Sequence, residues 1–153
     1  MTTIGILGVG HLAGLMLRGL AGSGYRLVLS PRNAEIAAQL AGEHGCEIAD
    51  SNQALVDAAE GVFVSLPAAT GVAELARLAF RPGQPVLSAM AGTGLAKLQA
   101  VIGPARAAVA MMPGYANAFR VGPSILHPGD GFWQPFLAAT GPVIAFDDES
   151  QFT

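Results

Sequence analysis

The stretch Gly8-Val9-Gly10-His11-Leu12-Ala13 follows the apolar run 4–7 and opens a helix-like segment that extends to Leu20. In such a stretch the first glycine permits a tight turn out of a strand, and the second lets the backbone approach a phosphate group. The third position, Ala13, is small enough for close packing between helix and strand. A second apolar run, 25–29, lies where a βαβ unit needs its next strand. Residues 8–13 are therefore predicted to bind the pyrophosphate of a dinucleotide at the helix start. An ordinary glycine-rich turn is the alternative.

The residues after the second predicted strand select between the two nicotinamide cofactors. An Asp or Glu about twenty residues beyond the glycine stretch would bind the ribose 2′-hydroxyl of NAD, but this chain has Ser30 there. Ser30, Arg32 and Asn33 can all donate to a 2′-phosphate, and no carboxylate is expected nearby. We therefore expect NADP, bound as NADPH, rather than NAD. The alternative is that Ser30 and Asn33 only shape a turn and cap a helix over 34–40.

Composition and charge argue against several classes of protein. The chain has 153 residues, 52% of them hydrophobic and 12% charged, as expected of one domain around a buried parallel sheet. Its formal charge is −3 and its eight basic residues are scattered, which argues against nucleic acid or an anionic membrane as a partner. No apolar run is long enough to span a membrane. Cys46 is the single cysteine and no Cys–His grouping has metal-ligand spacing, so we expect no metal site and a cytoplasmic location.

Short apolar runs recur at intervals that each leave room for one helix, which is typical of repeated βαβ units. With right-handed crossovers the pattern predicts an α/β fold of the Rossmann type, with a doubly wound, mainly parallel sheet and helices on both faces. The strand order is expected to be 3-2-1-4-5-6, with the nucleotide between strands 1 and 4. The predicted strands cover 4–7, 25–29, 47–48, 61–66, 85–88 and 106–111. Predicted helices cover 12–20, 34–40, 53–59 after a Ser51 cap, and 72–80 after Thr70.

Beyond Met111 the pattern changes, because frequent proline and glycine residues interrupt it. This part predicts loops, one or two additional strands at 124–126 and 143–146, and a short helix over 132–139. The predicted nucleotide-binding domain thus covers residues 1–146. Residues 147–153 are acidic at first and are expected to begin a linker to a second domain.

Six short motifs follow one another along the whole chain. They are Ile6-Leu7-Gly8-Val9-Gly10-His11-Leu12-Ala13, Leu29-Ser30-Pro31-Arg32-Asn33, Asp50-Ser51-Asn52-Gln53-Ala54, Val62-Phe63-Val64-Ser65-Leu66-Pro67, Leu87-Ser88-Ala89-Met90-Ala91-Gly92 and Met111-Met112-Pro113. Their order and spacing resemble the nucleotide-binding half of pyrroline-5-carboxylate reductases and their relatives around 6-phosphogluconate dehydrogenase. The resemblance implies, in turn, a pyrophosphate loop, a 2′-phosphate site, a helix start and a loop flanking the nicotinamide at Leu66 and Pro67. It also implies two turns lining the active cleft, the first of which contains Ala91 and Gly92.

The chain departs from that family pattern at two places on the cleft side. Leu66-Pro67 replaces a usual Lys-Pro, and Met112-Pro113-Gly114-Tyr115-Ala116 replaces a Met-Pro-Asn-Thr-Pro run. A relative with another substrate is therefore as consistent with the sequence as a reductase of proline biosynthesis. Family members also continue into a helical domain that forms a homodimer and supplies much of the substrate pocket. We expect that C-terminal domain to be missing because these residues are a fragment; the alternative is a natural short protein.

Candidate catalytic residues lie in the loop after the sixth predicted strand. Hydride transfer requires a protein that holds the nicotinamide against a substrate carbon. Tyr115 could hydrogen-bond or protonate the substrate, and Asn117 could replace the amide missing from the family run. The alternative for Tyr115 is that its ring packs against the neighbouring loop. His127, beside Pro128, is expected in a surface loop.

The expected function is hydride transfer from NADPH to a cyclic imine or a similar small molecule with a C=N or C=O group. One alternative is a deazaflavin-linked NADP reductase, which shares a similar nucleotide-binding half. The other is a non-catalytic NADP sensor or interaction module, in which the cleft holds nucleotide and an apolar surface holds a partner protein.

Overall fold

A computed structural model describes residues 1–147, in which strands and helices alternate along the chain. The predicted linker over 147–153 lies outside the described residues, except for Asp147. Within residues 1–147 no helix is both long enough and apolar enough to cross a membrane.

The strands form one eight-stranded sheet within the described residues. Their bounds are β1 (Thr3–Leu7), β2 (Arg26–Leu29), β3 (Glu47–Ile48), β4 (Gly61–Val64), β5 (Pro85–Ser88), β6 (Arg106–Met111), β7 (Ser124–His127) and β8 (Val143–Ala145). Their order is β3-β2-β1-β4-β5-β6-β7-β8, which confirms the predicted order of the first six strands and both additional strands predicted at 124–126 and 143–146. The first six are parallel, whereas β7 pairs antiparallel with β6 and parallel with β8.

Helices cover both faces of the sheet, as the doubly wound prediction requires. In residues 1–147 they are α1 (His11–Gly19), α2 (Ala34–His44), α3 (Asn52–Ala58), α4 (Ala68–Ala76), α5 (Leu95–Ile102), α6 (Tyr115–Ala118) and α7 (Trp133–Ala138). Successive side chains of a strand point to opposite faces, so Ile4 and Ile6 join one buried cluster and Leu7 joins the other. Helices α1, α2 and α7 pack on the first cluster, and α3, α4 and α5 pack on the second.

Helix α4 begins four residues before its predicted start. It opens at Ala68 and ends at Ala76, so Thr70, predicted to precede the helix, lies inside it. Pro67 occupies the N-cap with a φ of −58°, and the fixed φ of proline suits a helix start. The shift matters for the site because it brings Thr70 and Glu74 to the carboxyl end of β4.

The surface-loop prediction for His127 was wrong. This residue is the last of β7, is buried, and pairs with Val109 of β6 in the sheet register. Its Nδ1 lies 2.9 Å from the carbonyl oxygen of Phe146. The antiparallel pairing of β7 with β6 thus covers a position that the neighbouring Pro128 had suggested was exposed.

The turn between β7 and α7 is closed by the carboxylate of Asp130. Its Oδ1 accepts from the backbone N–H of Phe132 at 2.8 Å and of Trp133 at 3.3 Å, and its Oδ2 accepts from Arg106 Nε at 2.8 Å. Burial alone would raise the pKa of Asp130, but these hydrogen bonds and the nearby guanidinium lower it overall. The carboxylate therefore joins β6 to the start of α7.

Candidate functional site

The loop between β1 and α1 turns on Gly8, whose φ of +94° lies in the left-handed region. A Cβ atom at this position would come within 2.8 Å of the carbonyl carbon and oxygen of Ser65, just after β4. The Ser65 hydroxyl also donates to the carbonyl oxygen of Gly8 at 3.0 Å. Glycine is required for both the turn and the close approach, so the loop is fixed against the carboxyl end of β4.

Gly10 is different, because no contact within the protein requires glycine there. Its φ of −81° and ψ of −163° suit other residues, and a Cβ atom would meet no atom within 4 Å. Gly10 is the N-cap of α1 and supplies no side-chain cap, so the N–H groups of the first turn have no acceptor within the helix. Ala13, in contrast, is fully buried on the core-facing side of α1. The missing Cβ of Gly10 leaves open space beside backbone donors that suit an anion.

A cavity of about 490 Å³ lies where the glycine loop meets the ends of β2 and β4 and the start of α4. Eight of the predicted cofactor-binding residues line it: Gly8, Val9, Gly10, Ser30, Arg32, Asn33, Leu66 and Pro67. Three further residues line it: Ser65, Thr70 and Glu74. The cavity lies between β1 and β4, at the point where the strand order reverses. Ligands of open α/β sheets bind at such a point.

Arg32 does not stand alone at the cavity wall, contrary to the expectation that no carboxylate lies nearby. Its guanidinium forms an ion pair with the carboxylate of Glu74, which α4 carries across the cavity. The Arg32 side chain is 64% exposed, whereas that of Glu74 is only 17% exposed. Sequence reasoning missed Glu74, which lies inside the predicted helix, because no local pattern shows that this helix places its carboxylate beside Arg32.

The two polar neighbours of Arg32 have different environments. Ser30 is fully buried, and its hydroxyl donates to Asn52 Oδ1 at 2.6 Å, so its proton is already engaged. Asn33 is exposed, has a φ of +56°, and occupies the N-cap of α2 without a side-chain cap hydrogen bond. Asn33 thus stands at the predicted helix start, but its amide does not close that end of the helix.

Ala91 and Gly92 lie apart from the first cavity. They line a second cavity of about 570 Å³, formed by the turn after β5 and the end of β6. Met90, Met111 and Met112 contribute to its apolar wall. Ala91 and Gly92 are therefore separated from the eight predicted cofactor-binding residues that line the first cavity.

The ring of Tyr115 contacts the ring of His11, with centroids 5.4 Å apart and planes at 66°. Tyr115 is 63% exposed. Its contact with His11 agrees with the alternative in which the Tyr115 ring packs against a neighbouring loop. Leu12, next to His11, is half-buried against the core. His11 and Leu12 do not line the first cavity. A catalytic role for Tyr115 stays a prediction.

Asn117 is completely buried in α6. Its Oδ1 accepts from the Gly114 N–H at 3.1 Å, and its Nδ2 donates to Ser124 Oγ at 3.0 Å and Thr140 Oγ1 at 2.9 Å. These hydrogen bonds occupy the amide with contacts inside the protein. Its catalytic role also stays a prediction, and this placement adds no support for it.

The geometry of the first cavity fits a dinucleotide. Gly10 leaves space where a Cβ would project, the start of α1 presents backbone donors, and Arg32 lines the same cavity. A bound nicotinamide nucleotide would supply hydride chemistry, while residues 8–10 and Arg32 would hold it. Among residues 1–147 no group of three or more His, Cys, Asp or Glu side chains is arranged to hold a metal ion.

Known proteins resemble this chain in sequence and in fold. Residues 3–92 match the family described as NADP oxidoreductase coenzyme F420-dependent. A pyrroline-5-carboxylate reductase of Pseudomonas aeruginosa is 29% identical over 160 residues, which cover 97% of this chain and 59% of that protein. The chain thus spans about three-fifths of the length of this relative.

Solved structures share the fold at lower identity. A pyrroline-5-carboxylate reductase of Streptococcus pyogenes superposes with a TM-score of 0.84 at 22% identity, over 97% of this chain and 59% of its own. An imine reductase of Aspergillus terreus, solved with NADPH4 and dibenz[c,e]azepine, gives 0.80 at 20% identity over 98% and 56%. The matched family model covers the glycine loop, Arg32 and Glu74 together. The chain therefore belongs to the family of coenzyme F420-dependent NADP oxidoreductases, and its likeness is to the nucleotide-binding part of pyrroline-5-carboxylate reductases.

Proposed function

We propose that this chain is the NADP(H)-binding domain of an oxidoreductase that transfers hydride from NADPH to a small cyclic imine or a related C=N or C=O compound. The observation that carries the proposal is the first cavity, which is lined by both an open glycine loop and the guanidinium-bearing Arg32. The loop suits a pyrophosphate and the guanidinium suits a 2′-phosphate.

The choice of NADP rests on the end of β2. No carboxylate follows that strand directly, because Ser30 stands there and Arg32 and Asn33 follow. Both of these side chains are exposed at the cavity, and a guanidinium binds two phosphate oxygens at once. An NADP-bound pyrroline carboxylate reductase of Plasmodium falciparum is among the similar folds.

The substrate class rests on the second cavity and on the relatives. The cavity beside Ala91 and Gly92 is lined largely by methionine and alanine, which suits an apolar ring better than a charged group. Pyrroline-5-carboxylate reductases and an imine reductase share the fold. These relatives are longer than this chain. We propose that a helical C-terminal domain completes this pocket and forms a homodimer, and that the protein acts in the cytoplasm.

The test is a titration of NADPH and NADH into this chain, followed by nicotinamide fluorescence. We expect NADPH to bind about tenfold tighter, a difference of about 1.4 kcal/mol. Arg32→Ala should remove that preference, because the 2′-phosphate loses its cation. Arg26→Ala is the matched control, since it breaks an Arg–Glu pair at the opposite end of β2 and should leave the preference intact. Equal affinity of the unaltered chain for both nucleotides would reject the choice of NADP, and no binding of either would reject the function.

One observation favours a second candidate, a deazaflavin-linked NADP reductase. The matching family is described by its dependence on coenzyme F420. The matched residues, 3–92 of this chain, include every residue that lines the first cavity. In that case hydride would pass between the deazaflavin and the nicotinamide, with the second cavity holding the deazaflavin ring. Oxidation of reduced F420 by NADP in the presence of this chain would favour this candidate. Failure of that reaction, with intact NADPH binding, would favour the imine substrate.

A further inference from the structure

We propose that Glu74 sets the balance between NADP and NAD in this site, by competing with the 2′-phosphate for Arg32. The proposal rests on the proposed function, because it assumes that the first cavity binds a nicotinamide dinucleotide. It names a specificity-determining residue on α4, an element separate from the glycine loop and from the end of β2.

The carboxylate of Glu74 is held in place by its helix. Leu75, the next residue, is fully buried, and Gly71 lies so close to Met90 that a Cβ there would approach its sulfur to 2.1 Å. Thr70 and Glu74 are four residues apart and line the same cavity, as one helix face requires. The Glu74 side chain is only 17% exposed and lines the cavity, so it has little room to turn away into solvent.

Arg32 is the movable partner of the pair. Its side chain is 64% exposed and extends from the segment between β2 and α2. A long, exposed side chain loses rotamer freedom when it is held in one geometry. Arg32 can therefore leave Glu74 for a phosphate, whereas Glu74 stays where the phosphate would bind.

The two cofactors are affected differently by this arrangement. A 2′-phosphate must take Arg32 from Glu74 and then lies near an unpaired carboxylate of the same sign. A 2′-hydroxyl can donate to that carboxylate and leave the ion pair intact. Glu74 therefore weakens NADPH binding without weakening NADH binding, and it reduces the preference that Arg32 alone would give.

The experiment measures the dissociation constants of NADPH and NADH for the Glu74→Gln variant. Gln keeps the size of the side chain and removes its charge. We expect NADPH to bind this variant about three- to tenfold more tightly than it binds the unaltered chain. The dissociation constant of NADH should change less than about twofold. In the Arg32→Ala background the gain for NADPH should shrink, because no cation remains to compete for. Thermal melting checks that each variant is folded.

Glu47→Gln is the matched control. It removes the same charge from the Arg26–Glu47 ion pair, where both side chains are about half-exposed and neither lines a described cavity. It should leave both dissociation constants unchanged. The proposal is overturned if Glu74→Gln tightens both nucleotides equally, weakens NADPH, or gives the same gain without Arg32. A chain that binds both nucleotides equally but gains NADPH preference on Glu74→Gln supports this inference while rejecting the choice of NADP above. Absence of any nucleotide binding overturns both.

Discussion

Two turns at the carboxyl edge of the sheet each contain a glycine in the left-handed conformation, but the two turns have different roles. The loop after β1 contains Gly8 with a φ of +94°, and the loop after β6 contains Gly114 with a φ of +82°. Each leads from a parallel strand into a helix, α1 in the first case and α6 in the second. The two helices pack together, and a Cβ at Gly19 would come within 2.2 Å of the Asn117 carbonyl oxygen.

The two turns differ in what fills them. Asn117 occupies the second turn, accepts from the N–H of Gly114, and joins α6 to Ser124 and Thr140. No side chain caps the first turn, and beyond Gly10 there is open space. A turn whose polar groups are satisfied from inside supports the fold, whereas a turn whose donors face an open cavity can bind a ligand.

The largest effect is expected from Gly8→Ala. The substitution forces alanine into a left-handed conformation and places its Cβ against the Ser65 backbone, which cannot move away as a flexible side chain could. We expect a loss of about 3 kcal/mol or more in the free energy of unfolding, together with loss of nucleotide binding. Urea unfolding followed by circular dichroism measures the first effect. A variant as stable as the unaltered chain would show that the loop is not fixed against β4.

The second turn should be sensitive to Asn117→Ala. Removing the amide leaves the Gly114 N–H and the hydroxyl of Ser124 with one partner fewer in a buried place. We expect the free energy of unfolding to fall by about 2–3 kcal/mol. The dissociation constant of NADPH should change less than about twofold below the melting temperature, because the amide does not line the first cavity.

The variant Asn117→Asp distinguishes the role of the accepting oxygen of Asn117 from that of its donating nitrogen. Aspartate keeps the oxygen that accepts from Gly114 but replaces the Nδ2 that donates to Ser124 and Thr140. A loss of stability equal to that of alanine would show that the donor is what the turn depends on. An NADPH dissociation constant that rises tenfold in either variant would instead give Asn117 a part in the binding site and would remove the contrast between the two turns.

Local patterns of residues were enough to predict most of the sheet. The apolar runs at 85–88 and 106–111 match β5 and β6 residue for residue, and the glycine loop lies at the predicted junction of β1 and α1. Ser51 also caps α3, since its hydroxyl accepts from the Ala54 N–H at 3.0 Å. In each case the signal lies within a few neighbouring residues, so it can be recognised without knowledge of the fold.

Features that depend on distant residues could not be predicted in the same way. The Arg32–Glu74 ion pair joins positions 42 residues apart and depends on how α4 packs beside the end of β2. The burial of Asn117 depends on its hydrogen bonds to Ser124 in β7 and to Thr140, which follows α7. The burial of His127 depends on the antiparallel pairing of β7 with β6. Tertiary packing determines each of these three features, and no local sequence motif predicts them.

Gly10→Ala gives the sharpest test of the contrast, with the smallest expected effect on the fold. The backbone conformation at Gly10 suits alanine and its Cβ would meet no protein atom, so the free energy of unfolding should change by less than about 1 kcal/mol. NADPH binding should nevertheless weaken at least about tenfold, because the methyl group occupies the space beside the α1 donors. Gly10→Ser is the companion variant, since serine can cap α1 and stabilise it while still filling that space. If both variants keep their stability and lose NADPH, Gly10 serves the ligand and Gly8 serves the fold. If both bind NADPH as the unaltered chain does, the open space at Gly10 is not where the phosphates lie.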